Sequence, residues 1–220
     1  IMPSLVGSEM CIRDSFKELP PYVPGPKMVI GHFGSLSATR NLTPVISALE
    51  TLIAQRPELR DRLELQLTGG PLDTVSQAAL AHSPVRDLVR HLGRIEADPV
   101  TGMSGREQIL RRMRSADVLL LLHGTEPICA EYIPSKLYEY LWMQRPILAT
   151  VHGNAQMAEL LRGQGHCVVE TNDGDALPAL TWELEQLLTR WSGGGLTDCG
   201  RSSSYTTEAA VSQLLLGVGS

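Results

Sequence analysis

The sequence contains few cysteines, and they are not arranged for metal binding. Its 220 residues include four cysteines and six histidines. No two cysteines form a CxxC pair, and the histidines do not recur at the spacing of metal ligands. Scattered thiols of this kind are typical of a reduced, cytoplasmic protein, so we expect neither a zinc site nor a disulfide framework. The cysteines are Cys11, Cys129, Cys167 and Cys199.

Long apolar runs and clusters of basic residues are also missing. The longest purely apolar run, residues 118–122, is far shorter than the roughly 20 residues that a membrane-spanning helix needs. The formal net charge is -5, and no stretch is dominated by Lys and Arg, which argues against nucleic-acid binding. We expect no transmembrane segment and no nucleic-acid partner, and we assign any peripheral membrane contact to a preceding domain.

Two phosphate-binding fingerprints are absent as well. Neither GxGxxG nor GxxxxGK[ST] occurs in the sequence, so it supports neither nicotinamide chemistry nor P-loop chemistry.

Composition divides the chain into five segments. Residues 1–15 look like a translated sequencing adaptor and are excluded from the fold prediction, so the native chain is expected to start near Phe16 with a preceding domain missing from this sequence. Residues 16–26 are a stiff Pro-rich linker, and residues 27–191 are the folded domain. Residues 192–204 are rich in Gly and Ser and are predicted to be flexible, and 205–220 could form a final helix.

Within residues 27–191, short apolar runs alternate with segments of helical period. The run at 118–122 shows no polar alternation, which is typical of a parallel strand covered on both faces. The alternation predicts an α/β fold with a doubly wound, Rossmann-like parallel sheet. We predict strands at 27–33, 63–68, 88–92, 118–122, 146–150 and 167–170, and helices at 42–55, 74–81, 104–114, 135–143, 155–162 and 176–190.

The loop after the first strand is one candidate ligand site, because ligands of open parallel sheets bind beyond the carboxyl ends of the strands. It begins with Gly34 and Ser35, whose small size lets the backbone approach a ligand. The Arg40 guanidinium can grip a phosphate through two parallel hydrogen bonds. The alternative for Arg40 is a solvated arginine near a helix start. His123, after the fourth strand, is either a ligand neighbour or a hydrogen-bonded structural residue.

The second candidate site is the helix start at Pro134, Ser135 and Lys136. Free N–H groups and the helix dipole favour an anion there. The helix dipole does not stabilise a cation at this end of a helix, so the presence of Lys136 there favours a phosphate as its ligand. Glu139 has apolar neighbours and is either a surface carboxylate or an acceptor for hydroxyl groups such as a ribose diol. Glu131, in the loop before the helix, is a weaker candidate.

Taken together, these residues resemble the C-terminal, donor-binding half of a GT-B glycosyltransferase of the family 4 type, which is retaining and glycogen-synthase-like. The resemblance covers residues 27–191. Glu131 and Glu139 match two glutamates that the family separates by seven residues. Pro134 and the segments 138–141 and 145–149 fall where the family has its proline, its second glutamate and its next strand.

The resemblance implies a nucleoside diphosphate sugar as donor, with no required metal and no other cofactor. Glu139 would bind the ribose of the nucleotide, and Glu131 would lie near the donor sugar. Main-chain groups of Gly93, Arg94 and Ile95 would border the base.

The resemblance also implies how the diphosphate is held. Arg40 matches the second of two basic residues that hold the diphosphate, whereas Ser35 stands in the place of the first. Lys136 would replace the missing charge, and Glu131, Arg40 and Lys136 are the residues expected to act in catalysis. Tyr132 departs from the family, because many members have Gly there.

The implied reaction is transfer of a sugar to a glycan or lipid-linked acceptor with retention at the anomeric carbon. Acceptor recognition belongs to the N-terminal domain of such enzymes, so we expect this chain alone to bind donor but to transfer poorly. Two alternatives stay open. The chain could be half of a sugar-nucleotide 2-epimerase, or a non-catalytic α/β binding module in which the charged residues are solvated.

Overall fold

Six parallel strands form one sheet in the structure, a computed structural model that describes residues 19–172 and 176–196. Their order across the sheet is β3-β2-β1-β4-β5-β6, and every neighbouring pair is parallel. This order is that of a doubly wound fold, so the predicted α/β class is confirmed. The strands are β1 (Met28–Phe33), β2 (Leu63–Thr68), β3 (Val89–Gly93), β4 (Val118–Leu122), β5 (Ile147–Val151) and β6 (Cys167–Glu170).

Within residues 19–172 and 176–196, six α-helices cover the two faces of the sheet. They are α1 (Thr43–Gln55), α2 (Thr74–Ala81), α3 (Gly105–Ser115), α4 (Ser135–Trp142), α5 (Ala155–Gly163) and α6 (Ala176–Ser192). Helices α1, α2 and α6 contribute to the apolar core on one face, and α3, α4 and α5 to the core on the other. All five residues of β4 and of β5 are buried between these layers, which is why β4 carries no polar alternation.

Polar side chains fix where three of the helices begin. In each case the side chain just before the helix accepts a hydrogen bond from a free N–H of its first turn, which is a standard N-cap. The capping residues are Asp73 for α2, Ser104 for α3 and Asn154 for α5.

Short 3-10 turns are the main departure from the predicted elements. They span Pro57–Arg62, Arg86–Leu88 and Pro127–Glu131. Two of them begin with proline, whose fixed φ suits a first helical turn, but all three are too short to show an apolar period. The third strand consequently begins at Val89 rather than at residue 88. Glu131, expected in a loop, is the last residue of the third turn.

A buried carboxylate ties the Pro-rich segment to the amino edge of the sheet. Residues 19–26 contain no helix or strand, yet the Tyr22 hydroxyl donates to Asp117, which is 1% exposed. Asp117 also accepts from the Val29 amide at 2.7 Å and from the Trp191 indole at 2.9 Å. The Arg145 guanidinium lies 3.3 Å from the Tyr22 ring centroid. Burial and the Asp117 carboxylate raise the pKa of Tyr22 to about 12.

Several predicted segments lie outside the described residues. These are residues 1–15, residues 16–18 of the Pro-rich linker, residues 197–204 of the Gly/Ser-rich segment 192–204, and the final helix at 205–220. Where the structure describes the chain, no helix combines the length and the apolar character that crossing a membrane requires.

Replacing the buried Asp117 with alanine should lower the free energy of unfolding by about 3 kcal/mol, because the half-buried donors of Val29 and Trp191 lose their acceptor. Urea unfolding followed by circular dichroism measures the change. Asp87→Ala is the control: Asp87 is 61% exposed and forms only a surface pair with Arg60, so its loss should be below about 1 kcal/mol. Equal losses for the two variants would contradict the structural role of Asp117.

Candidate functional site

Strands β1 and β4 part at the carboxyl edge of the sheet, and we call the gap between them the crevice. Strand β1 is in register with β2 over six residue pairs but with β4 over only two, Ile30 with Val118 and Gly31 with Leu119. The connections run to opposite sides of the sheet from these two central strands, so the crevice lies at the topological switch point. Ligands of doubly wound folds bind at this point.

The Tyr140 hydroxyl bridges the two strands where their pairing ends. It accepts a hydrogen bond from the Phe33 amide at 3.0 Å and donates to the Leu120 carbonyl oxygen at 3.4 Å. Tyr140 is 0% exposed, and burial raises the pKa of its hydroxyl, so it stays protonated. This bridge fixes helix α4, and with it Lys136 and Glu139, against the crevice.

Three glycines at adjacent strand ends form a surface without side chains, which we call the glycine floor: Gly34, Gly69 and Gly93. The Gly34 amide donates to Thr68 at 2.9 Å, and the Gly69 amide donates to Gly93 at 2.9 Å. Their φ angles are 141°, 150° and 71°, values that favour glycine. A Cβ on Gly69 would lie 2.1 Å from the Gly34 carbonyl oxygen, so no larger residue fits between these loops.

Arg40 lies over the crevice, close to two buried histidines. Its Nε is buried without a hydrogen-bond partner, and within the described ranges its side chain forms no ion pair. Burial, with smaller contributions from the charges of Arg40 and Lys136, lowers the pKa of His32 to about 4. Burial also lowers the pKa of His123, again with a contribution from Arg40. The two cations are therefore brought to the same strand end, beside neutral imidazoles.

The loop that carries Arg40 is fixed to the loop after β4. The Thr125 amide donates to the Thr39 carbonyl oxygen at 3.1 Å. His32 Nδ1 lies 3.1 Å from the Leu120 carbonyl oxygen, which makes Nδ1 the protonated nitrogen and leaves Nε2 as a buried acceptor with no partner among the described residues. Unpartnered buried polar atoms are rare in folded proteins, and they mark this edge as a place where a polar ligand would be held.

Glu139 is held between two cations. Lys136 Nζ lies 3.0 Å from one carboxylate oxygen, and Arg106 Nη2 lies 3.0 Å from the other. Burial acts to raise the pKa of Glu139, but the Arg106 hydrogen bond and the Lys136 charge outweigh it, and the pKa is lowered. An ionised, oriented carboxylate of this kind accepts hydrogen bonds from hydroxyl groups.

Helix α3 links Glu139 to the loop after β3. Gly105 lies so close to Ile95 that a Cβ would stand 2.4 Å from the Ile95 carbonyl oxygen. Arg106, the next residue, reaches Glu139. Gly93 and Ile95, predicted to border a base, therefore lie near the carboxylate predicted to bind a ribose.

Other predicted residues line the same edge without making contacts of their own. Ser35, Arg94, Glu131 and Ser135 are exposed, and no hydrogen bond or ion pair of the Glu131 side chain occurs in the part of the chain that the structure describes. Pro134 is the N-cap of α4 and supplies no side-chain cap, so the first N–H groups of this helix have no such acceptor.

Sequence reasoning missed Arg106 as a neighbour of Glu139. Arg106 lies in the first turn of α3, where a cation gains nothing from the helix dipole. The same signal singled out Lys136, and applied to α3 it would have found Arg106. His32 and Tyr140 carried no signal, because each lies within an apolar segment and its role depends on strand pairing that is distant in sequence.

The sequence matches no protein-family profile, and no curated protein matches it. Solved structures are similar to it in fold. WaaG, described as a glycosyltransferase involved in lipopolysaccharide biosynthesis, aligns with a TM-score of 0.60 and 15% identity over 99% of this chain and 51% of its own. An α,α-trehalose-phosphate synthase (UDP-forming) from Burkholderia vietnamiensis aligns with a TM-score of 0.56 and 12% identity, covering 96% of this chain and 44% of that one.

Anabaena Alr3699/HepE, solved in complex with UDP, aligns with a TM-score of 0.54 and 14% identity, covering all of this chain and 53% of its own. This chain spans about half the length of the solved chains it matches or less. At these identities the comparisons show the fold: the chain has the Rossmann-like fold of one half of a GT-B glycosyltransferase, as the resemblance implied.

Gly69→Ala should lower the free energy of unfolding by about 2 kcal/mol or more, because the new Cβ meets the Gly34 carbonyl oxygen and the φ of 150° is strained for alanine. Urea unfolding measures the loss. Gly163→Ala, at the end of α5 where a Cβ meets nothing within 4 Å, should change stability by less than about 0.5 kcal/mol. A tolerated alanine at residue 69 would show that the glycine floor is not closely packed.

Tyr140→Phe should lower the free energy of unfolding by about 1–3 kcal/mol, because the buried Phe33 amide loses its acceptor while the aromatic ring remains. Thermal or urea unfolding gives the value. Tyr132→Phe, on a side chain exposed to 45%, is the matched control and should be nearly neutral. A neutral Tyr140→Phe would mean that the hydroxyl bridge does not hold the strands.

Proposed function

We propose that the chain binds a nucleoside diphosphate sugar in the crevice and supplies the donor site of a retaining glycosyltransferase. The observation that carries the proposal is the arrangement of Glu139, Lys136 and Arg40 at one strand end. An ionised carboxylate for hydroxyl groups stands beside two cations for phosphates. A nucleoside diphosphate presents these two chemistries, a ribose diol and a diphosphate, at adjacent positions.

In the proposed complex, the diphosphate lies between Arg40 and the amino end of α4. The uncapped N–H groups of this helix start favour an anion, and Lys136 adds a full charge within the first turn. Lys136 can serve both Glu139 and a phosphate, because an ammonium group has three donors. The glycine floor lets the ligand approach the backbone closely.

During transfer, the bond between the anomeric carbon and the diphosphate oxygen breaks, and its electron pair leaves with the diphosphate. The acceptor hydroxyl oxygen forms the new bond to that carbon, and its proton passes to the departing diphosphate oxygen. Negative charge grows on the diphosphate, so Arg40 and Lys136 would stabilise the transition state more than the ground state without a metal. Glu131, exposed at the end of its 3-10 turn, would face the donor sugar.

In the proposed complex, main-chain groups and the Glu139 carboxylate make the remaining contacts with the nucleotide. Glu139 would accept from the ribose hydroxyls, and main-chain groups of Gly93, Arg94 and Ile95 would border the base. Several similar solved structures were determined in complex with UDP or are UDP-forming synthases, which makes uridine the first base to test. A glycan or a lipid-linked sugar is the proposed acceptor class.

Titration calorimetry of the chain with UDP, GDP and ADP tests the proposal. We expect one nucleotide to bind, and we expect Glu139→Ala and Arg40→Ala each to weaken it by roughly 10- to 100-fold, the value of charge-assisted hydrogen bonds. Glu139→Ala should also remove the preference for UDP over 2′,3′-dideoxy-UDP, because only the ribose hydroxyls reach this carboxylate.

Arg60→Ala and Glu58→Ala are the matched controls. Both residues lie in the 3-10 turn that precedes β2, at the opposite edge of the sheet, and should leave affinity unchanged. A folded chain whose nucleotide affinity ignores Glu139 and Arg40 would support the alternative of a non-catalytic module. Interconversion of a sugar nucleotide without any acceptor would instead support the epimerase.

A further inference from the structure

The turn that carries Glu131 is held in place by one buried side chain from another loop. Asn154, at the end of the β5–α5 loop, is 5% exposed. Its amide nitrogen donates to the Cys129 carbonyl oxygen at 3.1 Å and to the Tyr132 carbonyl oxygen at 3.1 Å. These two carbonyl groups flank Glu131, one two residues before it and the other directly after it.

The same amide also starts helix α5. Asn154 Oδ1 accepts a hydrogen bond from the Met157 amide at 2.9 Å, which is an N-cap. The three bonds fix the orientation of the amide group, because its nitrogen faces two acceptors and its oxygen faces a donor. The residue before Asn154 also packs against the turn: a Cβ built on Gly153 would lie 3.5 Å from the Ala130 Cβ.

We propose that Asn154 is a positioning residue that holds the Glu131 turn against the crevice and so sets the contact of Glu131 with the donor sugar. The inference rests on the proposed function, in which Glu131 faces that sugar. Glu131 is exposed at the end of its turn, so its direction depends on the backbone around it. Two donors from one rigid amide fix this backbone on both sides, whereas an aspartate or serine at residue 154 would satisfy the N-cap alone.

Substitutions at residue 154 can separate its two roles, which are to cap helix α5 and to hold the turn that carries Glu131. Asn154→Ser keeps a side-chain oxygen for the N-cap but loses the two donors to the turn. Asn154→Asp also keeps the cap and places a carboxylate against two carbonyl oxygens. Asp73→Ser, a cap replacement on α2 that involves no contact with the turn, is the matched control.

Calorimetry with UDP and with UDP-glucose and UDP-N-acetylglucosamine measures how much the sugar adds to affinity. We expect Asn154→Ser to reduce this sugar-dependent gain by about tenfold, the equivalent of two lost hydrogen bonds, while UDP affinity changes less than about twofold. Glu131→Ala should cause a similar loss. The double variant should lose no more than either single variant, because Asn154 acts through Glu131.

Amide hydrogen exchange in the free chain gives a second measurement that needs no ligand. Exchange at residues 127–132 should rise in Asn154→Ser and Asn154→Asp, and should stay at the wild-type level in Asp73→Ser. The proposal is overturned if amide exchange at this turn is unchanged in the Asn154 variants. It is also overturned if exchange becomes faster but the sugar-dependent gain in affinity stays at the wild-type value. If the wild-type chain binds neither UDP nor the UDP sugars, the proposed function fails. If the Asn154 variants lose the sugar-dependent gain in affinity but Glu131→Ala keeps it, only this inference is overturned.

Discussion

The site depends on how two neighbouring strands separate. Because β1 and β4 are in register for only two residue pairs, their carboxyl ends part and would leave buried backbone groups without partners. The Tyr140 hydroxyl satisfies the Phe33 amide and reaches the Leu120 carbonyl oxygen, so the gap is stable without being closed. One aromatic residue thus keeps the crevice open and sets the position of the helix that carries its charged groups.

At the crevice one carboxylate, Glu139, is bound in ion pairs, whereas the Arg40 guanidinium forms no ion pair among the described residues. Glu139 is stabilised as an anion by Lys136 and Arg106, each on a different helix. Arg40 has no carboxylate partner in the described part of the chain, and the neighbouring His32 and His123 stay neutral because they are buried. Arg40 is therefore left available for an anion, in a protein whose formal net charge is -5. An anionic ligand is attracted to this edge rather than to the molecule as a whole.

The sequence predicted the sheet well because short runs rich in apolar residues alternate with segments of helical period, and β2, β4 and β6 have the bounds that were predicted. Placement of Arg40, Lys136 and Glu139 at one edge followed from the parallel sheet alone, since loops after parallel strands share an edge. The contacts of Arg106 and Asn154 could not be predicted, because each joins segments that only the folded chain brings together. The 3-10 turn ending at Glu131 was missed since five residues carry too little periodicity. The roles of these residues in binding and catalysis remain predictions.

The glycine floor has a consequence for how domains of this fold can diverge. Backbone atoms alone form this part of the crevice, and the approach of Gly69 to Gly34 leaves no space for a side chain. A side chain at residue 69 would therefore displace a loop, whereas at Gly34 and Gly93 the space is open and the positive φ angle is what disfavours a larger residue. Substitutions on the walls meet no such constraint, because Arg40, Arg106 and Lys136 lie on separate elements and can change one at a time.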